Sequence, residues 1–240
     1  MKRLMCVWLI TVVASRVLAA EVWEYRVSSA LFGTLGKVTM REERTGKQYH
    51  ITAVAETRGI AATLTRHRKY RAESRGIVGT QRRHSRYYLY EVVDHKKHKR
   101  DEYRIDPKAK KVIKTSQRWK KGKPEKKEQH RLDYYTDRDL ASLFYDLVTA
   151  PTAIRSGEYP AVGAEKSHGR VRIELPDARS AQKERERLQA SPQSRILYIL
   201  IDQKGGKQRK IIAAVTPQGR LESAYTVAVP VVGVLYMKPR

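Results

Sequence analysis

The sequence predicts a mainly β fold, in which a single antiparallel sheet is accompanied by one amphipathic helix. Apolar and polar side chains alternate with a period of two along most of the chain, which is the pattern of strands that bury one face. Turn sequences interrupt this alternation at short intervals, and strands joined by tight turns pair antiparallel. Only the stretch 137–148 shows a clear stripe of apolar residues at helical spacing.

The first half of the chain is predicted to form a series of hairpins. Thr45-Gly46-Lys47 has the composition of a tight turn, and Asp106-Pro107-Lys108 has that of another. Strands are expected wherever the side chains alternate between these and similar turns. The alternating segments are 25–31, 38–40, 49–55, 70–74, 88–92, 103–105 and 113–119.

The second half continues the same pattern. The apolar run 196–201 ends at Asp202, and its length and β-branched content are typical of a buried strand. Residues 20–240 are therefore predicted to form one domain, with 151–163 as a possible seam between its two parts. The remaining predicted strands are 171–173, 211–215, 221–229 and 231–237.

The helix predicted over 137–148 has a suitable N-terminus. Thr136 or Asp137 is a residue type that caps helices, and acidic residues in the first turn favour the positive end of the helix dipole. Its apolar stripe consists of Leu140, Leu143, Phe144 and Leu147.

Two other segments also depart from strand-like alternation. The polar stretch 177–190 is compatible with a solvated helix or with a long excursion between strands. Residues 60–64 are compatible with one short helical turn.

Residues 1–19 have the three parts of a signal peptide. Lys2 and Arg3 precede an apolar run of about ten residues, which is too short to cross a bilayer, and small side chains follow. We expect cleavage after Ala19 or Ala20, and export to the periplasm of a Gram-negative bacterium. A buried N-terminal helix is the alternative interpretation of this segment.

Cys6 is the only cysteine and lies within the predicted signal peptide. The chain after cleavage is therefore expected to have no disulfide and no thiolate metal site. No later apolar stretch is long enough to cross a membrane, so we expect no transmembrane span after cleavage.

Several short motifs follow one another in a characteristic order. The most specific is the helix start Asp139-Leu140-Ala141-Ser142 with its apolar followers. The others are Tyr25-Arg26-Val27, residues 33–38, Tyr49-His50-Ile51, residues 59–62, residues 70–76 and residues 232–235. On these motifs the chain resembles the exported bacterial proteins grouped as domain of unknown function 3108. The resemblance implies a strongly curved antiparallel sheet, a half-barrel like that of lipoprotein carriers, and it supplies no catalytic residue.

The chain is strongly basic, with 50 Lys and Arg against 25 Asp and Glu. Residues 95–131 alone hold 16 basic and 5 acidic side chains. Such clusters bind anionic lipid headgroups or the phosphates of lipopolysaccharide, although a solvated basic face is an equally good interpretation. The candidate anion-binding residues are Lys96, Lys97, Lys99, Arg100, Lys120, Lys121 and Lys123.

Other uses of these residues are less well supported. Export argues against a nucleic-acid partner, and the sequence has no zinc spacing and no RNA-recognition signature. His95 and His98 lie among cations that disfavour a metal ion, so we expect no metal site and no cofactor. Asp139 and Ser142 are better explained by local helix capping than by catalysis.

The concave face of a curved sheet is also a candidate site. Alternating apolar residues there are able to line a trough for an acyl chain, but the same residues equally form a dry core, which we favour. The candidate trough residues are Tyr25, Val27, Tyr49, Ile51, Tyr225 and Val227.

The sequence therefore favours a non-enzymatic, envelope-associated protein that binds a lipid-like or anionic ligand. A structural or assembly factor that contacts another envelope protein through a sheet edge is the alternative. An envelope hydrolase is the third possibility.

Overall fold

The computed structural model describes residues 18–202, 208–229 and 233–240. Within these residues, fourteen strands form one antiparallel sheet, which confirms the predicted fold class. Residues 1–17, most of the predicted signal peptide, lie outside the described part. The strands are β1 (Leu18–Ser29), β2 (Gly33–Thr45), β3 (Gln48–Thr57), β4 (Lys69–Val78), β5 (Arg83–Val93), β6 (Lys97–Asp106), β7 (Lys111–Lys120), β8 (Lys123–Arg131), β9 (Gly157–Pro160), β10 (Arg170–Glu174), β11 (Arg195–Asp202), β12 (Gln208–Val215), β13 (Leu221–Val229) and β14 (Gly233–Pro239).

Three α-helices accompany the sheet. They are α1 (Gly59–Leu64), α2 (Leu140–Thr149) and α3 (Ala178–Leu188). Short 3-10 turns cover Pro151–Ala153 and Glu165–Ser167. No helix in the described part of the chain is both long and apolar enough to span a bilayer.

The first and last strands pair at the middle of the sheet. From this β1–β14 pair, β2 to β8 extend in chain order to one side, and β13 to β9 extend in reverse order to the other. We call β1–β8 the N-terminal wing and β9–β14 the C-terminal wing. In the described residues β8 and β9 are the two edges, so the sheet is not closed into a barrel.

Helix α2 fills the concave face between the two wings. Its residue Tyr145 is fully buried and stacks on Trp23 of β1, with ring centroids 4.7 Å apart. The same core contains Ile51 from the N-terminal wing and Val171 and Leu197 from the C-terminal wing. Since burial of apolar surface is the main favourable term in folding, the sheet gains stability by curving around this helix.

The helix begins later than the sequence predicts, because its N-cap is Asp139 and neither Thr136 nor Asp137. Asp139 has extended backbone geometry, and its carboxylate accepts the N–H groups of Ala141 at 2.8 Å and Ser142 at 2.9 Å. The Ser142 hydroxyl accepts the Asp139 N–H at 3.0 Å in return, which completes a capping box.

Helix α3 resolves the alternatives for 177–190 in favour of a helix. It covers the outer face of the C-terminal wing, where Leu188 packs in a second apolar cluster with Ile196, Ile212 and Tyr225. The C-terminal wing is therefore covered on both faces, by α2 and by α3.

Two strands, β8 and β9, show no alternation of apolar and polar residues in the sequence and were not predicted. Strand β8 has the sequence KPEKKEQHR and every residue in it is exposed, so it has no buried face to produce an apolar alternation. Strand β9 has only four residues and lies inside the predicted seam.

Candidate functional site

Alternate connections of the N-terminal wing lie at the same end of the sheet, as an antiparallel order of strands requires. The register places Gly36 beside Thr57, Lys69 beside Val93, and Lys97 beside Lys120 at this end. We call the four connections there the basic rim. It consists of residues 30–32, 58–68, 94–97 and 120–123, which include eight Lys or Arg and one acid.

The two lysine clusters of the sequence meet on the basic rim. Lys97 and Lys120 are direct cross-strand partners, and Lys120 is also paired with Lys123 across the β7–β8 turn. The Lys121 N–H donates to the Lys96 carbonyl at 3.0 Å, which ties the two hairpin tips together. All five of these lysines are exposed. Like charges placed opposite each other repel, so this patch is an electrostatically favourable place for an anion.

Lys99 and Arg100 lie away from this patch, on the faces of the sheet. Lys99 binds Asp101 at 2.6 Å, and Arg100 binds Glu102 at 3.1 Å. Neighbouring residues of a strand point to opposite faces, so these two cannot act together with each other. Five of the seven predicted anion-binding residues therefore form one patch, and the other two are paired with acids.

Asp94 is the single acid of the basic rim, and its carboxylate stabilises the β5–β6 turn by accepting backbone hydrogen bonds. Its carboxylate accepts the N–H groups of Lys96 and Lys97, each at 2.9 Å, and binds Arg68 at 3.0 Å. The hydrogen bond from the Lys96 N–H is the largest contribution that lowers the pKa of Asp94, to about 2. The charge of Asp94 is thus engaged with the backbone and with Arg68, while the lysine ammonium groups face solvent.

The predicted apolar trough is mostly a dry core. Tyr25, Tyr49 and Ile51 are 3%, 3% and 0% exposed, so an acyl chain has no access to them. Val27 is half-buried on the concave face beside Met237. The side chain of Val227 lies outside the described residues.

Tyr225 lies on the outer face of the sheet and not in the predicted trough. It packs under α3 on the outer face. The reason is a register shift: Ala214 pairs with Ser223 but Val215 pairs with Leu221, so Glu222 is an extra residue in β13. A single inserted residue reverses the faces of all residues beyond it, which a strict period of two does not detect.

Half-buried apolar residues occupy other positions of the concave face. They come from both wings and pack against the core without being fully covered. All of them lie in segments predicted as strands, but only the sheet order brings those of the two wings onto one face. They are Val38, Ala53, Ala72, Tyr90, Ile201, Ile211 and Met237.

A buried polar cluster fastens α2 to the sheet. Asp139 is fully buried and accepts the Ser74 hydroxyl at 2.5 Å in addition to its capping bonds. Ser74 also lies 3.0 Å from the hydroxyl of Tyr49. Burial raises the pKa of Asp139 to about 6. Ser142 is equally buried, so this Asp–Ser pair is positioned to cap the helix and has no exposed nucleophile.

A buried ion cluster lies beside it. Arg83 donates from Nε to Glu42 at 2.8 Å and from Nη1 to Asp146 of α2 at 2.8 Å, and its guanidinium lies over the Tyr145 ring. Although burial disfavours its charge, the hydrogen bonds from Arg83 and Arg44 hold the pKa of Glu42 below its ordinary value. The sequence does not predict this cluster, because the extra residue Arg86 between Tyr87 and Ser85 reverses the face of Arg83 relative to the alternation of Tyr88 and Tyr90.

His95 and His98, the two histidines considered for a metal site, have local partners. His98 binds Glu91 at 2.7 Å and stacks on Trp119, and His95 packs edge-on against His67. Within residues 18–202, 208–229 and 233–240, no three His, Cys, Asp or Glu side chains are grouped for metal binding.

A family model described as "Protein of unknown function (DUF3108)" matches residues 24–176. The chain belongs to this family. The match begins within β1 and ends just after β10, and it includes α2 and all four connections of the basic rim. The resemblance stated from the sequence motifs is thereby confirmed for the DUF3108 family.

The fold of this DUF3108 protein is similar to that of a solved protein. The crystal structure of a beta-barrel-like protein of domain of unknown function DUF1849 from Brucella abortus superposes with a TM-score of 0.52 and 9% sequence identity. The alignment covers 92% of this chain and 94% of that one. At this identity the likeness is one of fold. No curated protein matches the chain.

Proposed function

We propose that this DUF3108 protein is an exported, non-enzymatic binding protein of the periplasm, and that it takes a phosphate-bearing anionic ligand of the envelope at the basic rim. The observation that carries this proposal is the pairing of Lys97 with Lys120, which joins two lysine clusters into one exposed patch. Each Lys or Arg near an anionic membrane surface contributes about 1 kcal/mol to binding. Five lysines on one patch are therefore sufficient for measurable association.

The charge pattern of the rim supports an anion over a protein partner with mixed charges. Asp94 is engaged with Arg68 and with two backbone N–H groups, and it does not neutralise the lysine side chains. The patch thus keeps its positive potential. Trp119 and Pro124 line a groove of about 340 Å³ beside it, with Arg118 and Lys126.

Export is supported by the pattern of residues 1–19, and the fold is compatible with the expected cleavage. The first buried side chain after the expected cleavage site is that of Trp23, which stacks on Tyr145. A chain that starts at Ala20 or Glu21 retains this contact. N-terminal sequencing of the protein recovered from the periplasm tests the cleavage, and an intact Met1 there would contradict it.

The assembly-factor alternative receives less support from the sheet edges. Strand β8 carries lysines and Pro124, which are the residue types that protect an edge against further strand pairing. Strand β9 at the opposite edge is short and ends at Pro160. The hydrolase alternative has no exposed candidate at Asp139 and Ser142, since both are buried.

Vesicle binding tests the proposal. We expect the protein to sediment with vesicles rich in phosphatidylglycerol at low salt. Binding should weaken near 0.15 M salt, where the Debye length falls to about 8 Å. Neutral vesicles should bind the protein weakly at both salt concentrations. Aggregates of lipopolysaccharide form a second arm, which distinguishes the two sources of the phosphate group.

A matched pair of charge-reversal variants locates the site. Lys96, Lys97 and Lys120 are changed to Glu on the basic rim, while Lys47, Lys108 and Lys110 are changed to Glu in the exposed turns at the opposite end of the N-terminal wing. Both variants lose the same net charge. We expect the first to lose most of its binding and the second to keep it. Equal losses would mean that net charge alone drives adsorption.

A further inference from the structure

The most exposed large apolar side chains of the described residues lie on the basic rim. Leu31 is 75% exposed and Ile60 is 58% exposed. Val93, which is 38% exposed, ends β5 at the same end of the sheet. Isolated exposed apolar residues are common on soluble proteins, but here they share one edge of the molecule with eight basic residues.

Helix α1 presents Ile60 outward in a fixed position. It buries Ala61 and Ala62 and leaves the larger Ile60 in solvent, which is the reverse of what apolar burial alone favours. Thr65 closes the helix with a hydrogen bond from its hydroxyl to the Ala61 carbonyl at 2.6 Å, and the oxygen of this hydroxyl lies 3.0 Å from that of Thr57. The exposure of Ile60 is therefore built into the packing of α1.

The β1–β2 turn presents Leu31 in a similar way. The buried Ser29 hydroxyl accepts the Phe32 N–H at 3.0 Å, and Gly33 has a φ of +63°, a left-handed conformation that favours glycine. The two apolar tips are neighbours, because the Arg58 N–H donates to the Leu35 carbonyl at 2.7 Å and so holds α1 against the start of β2.

We propose that the basic rim docks on the surface of an anionic phospholipid bilayer, with Leu31 and Ile60 inserted among the acyl chains and the lysines at the headgroups. This inference rests on the proposed function and adds the partner and the orientation. Apolar side chains flanked by basic residues, here Arg58 and Arg66, are the usual composition of segments that bind at a membrane interface.

Charge complementarity selects the bilayer over other occupants. A second copy of the chain would bring one basic rim against another, which like charges oppose. A soluble polyanion would use the lysines alone and leave Leu31 and Ile60 in water. Only a surface that is anionic outside and apolar beneath satisfies both sets of side chains.

Site-specific fluorescence tests the insertion. In a Cys6→Ser background, single cysteines are introduced as Leu31→Cys, Ile60→Cys and, at the opposite end, Ile77→Cys, and each is labelled with an environment-sensitive dye. With phosphatidylglycerol vesicles we expect a blue shift and quenching by bromine-labelled acyl chains at positions 31 and 60, and neither at position 77. Binding with no shift at 31 or 60, or an equal shift at all three positions, would overturn the docking.

A second pair of variants separates this inference from the proposed function. Leu31→Ser with Ile60→Ser should lower vesicle partitioning about tenfold or more, while Val22→Ser with Ile77→Ser should change it by less than about twofold. Affinity for soluble polyphosphate should be unchanged in both. If wild-type protein binds polyphosphate through the rim lysines but the first variant keeps full vesicle binding, the docking is wrong and the proposed function stands. If wild-type protein binds neither probe, both fail.

Discussion

Arg83 under α2 and Lys97 on the basic rim are both basic side chains of the N-terminal wing, yet their surroundings differ in almost every respect. Arg83 is 3% exposed and is bound by two carboxylates from different elements. Lys97 is exposed and faces another lysine across the strand. The contrast separates a charge that the fold buries and pairs with two carboxylates from a charge that it leaves exposed and opposite a like charge.

The largest expected effect on stability comes from replacing the buried Arg83. Arg83→Met leaves the buried Glu42 with Arg44 alone and the half-buried Asp146 with the more distant Arg138 alone, so the free energy of unfolding should fall by about 3 kcal/mol. Urea denaturation measures this loss. The triple variant Arg83→Met, Glu42→Gln and Asp146→Asn serves as the control and should recover part of the stability, because it also removes the two carboxylate charges that Arg83 balances. A loss below about 1 kcal/mol in Arg83→Met would remove the distinction between the two regions.

Asp139 should produce an intermediate, pH-dependent effect. Burial raises its pKa to about 6, so the folded state binds this proton more tightly than the unfolded state does. Its contribution to stability is fully present below the unfolded pKa near 3.9 and is lost as pH rises through about 6. Asn is also a good N-cap but does not titrate. As pH rises from 4 to 7.5, the free energy of unfolding of Asp139→Asn should therefore increase by about 2–3 kcal/mol relative to that of wild type. Urea denaturation at the two pH values measures this change.

The neighbouring Asp137 is the control for the direction of this pH dependence. Its carboxylate binds Arg82 at 2.9 Å and His84 at 2.7 Å, and these partners hold its pKa below the ordinary value despite partial burial. The stability that it contributes is lost as pH falls through its folded pKa. The free energy of unfolding of Asp137→Asn, relative to that of wild type, should thus decrease as pH rises, which is the opposite of the change expected for Asp139→Asn. A parallel response of the two variants would contradict the assigned role of Asp139.

The smallest expected effect on stability is at the basic rim. Lys97→Gln with Lys120→Gln removes a cross-strand repulsion between exposed side chains, so the free energy of unfolding should change by less than about 0.5 kcal/mol, with any gain largest at low salt. Thermal unfolding at two salt concentrations measures this. The same variant should bind anionic vesicles more weakly. A clear loss of stability would show that these lysines support the fold.

Local patterns were sufficient to predict much of this molecule. Alternation identified strands around Tyr49 and Ile51, and helical spacing identified α2 through Leu143 and Leu147, because both patterns record which side of a single element is buried. The motif at Asp139 contributed to recognising the DUF3108 family. The charge of 95–131 is also a property of composition alone.

Other features depend on pairings between distant residues. The pairing of β1 with β14 and the burial of Arg83 between Glu42 and Asp146 join segments that are far apart in the chain. The meeting of Lys97 with Lys120 depends on the exact register of the β6–β7 hairpin. The extra residue at Glu222 moved Tyr225 to the outer face, since register is set by the partner strand as well as by the strand itself. By itself the sequence determined the class of fold, the family and the excess of positive charge. The tertiary structure decided which charges are buried and which form the rim, because burial depends on neighbours that only folding brings together.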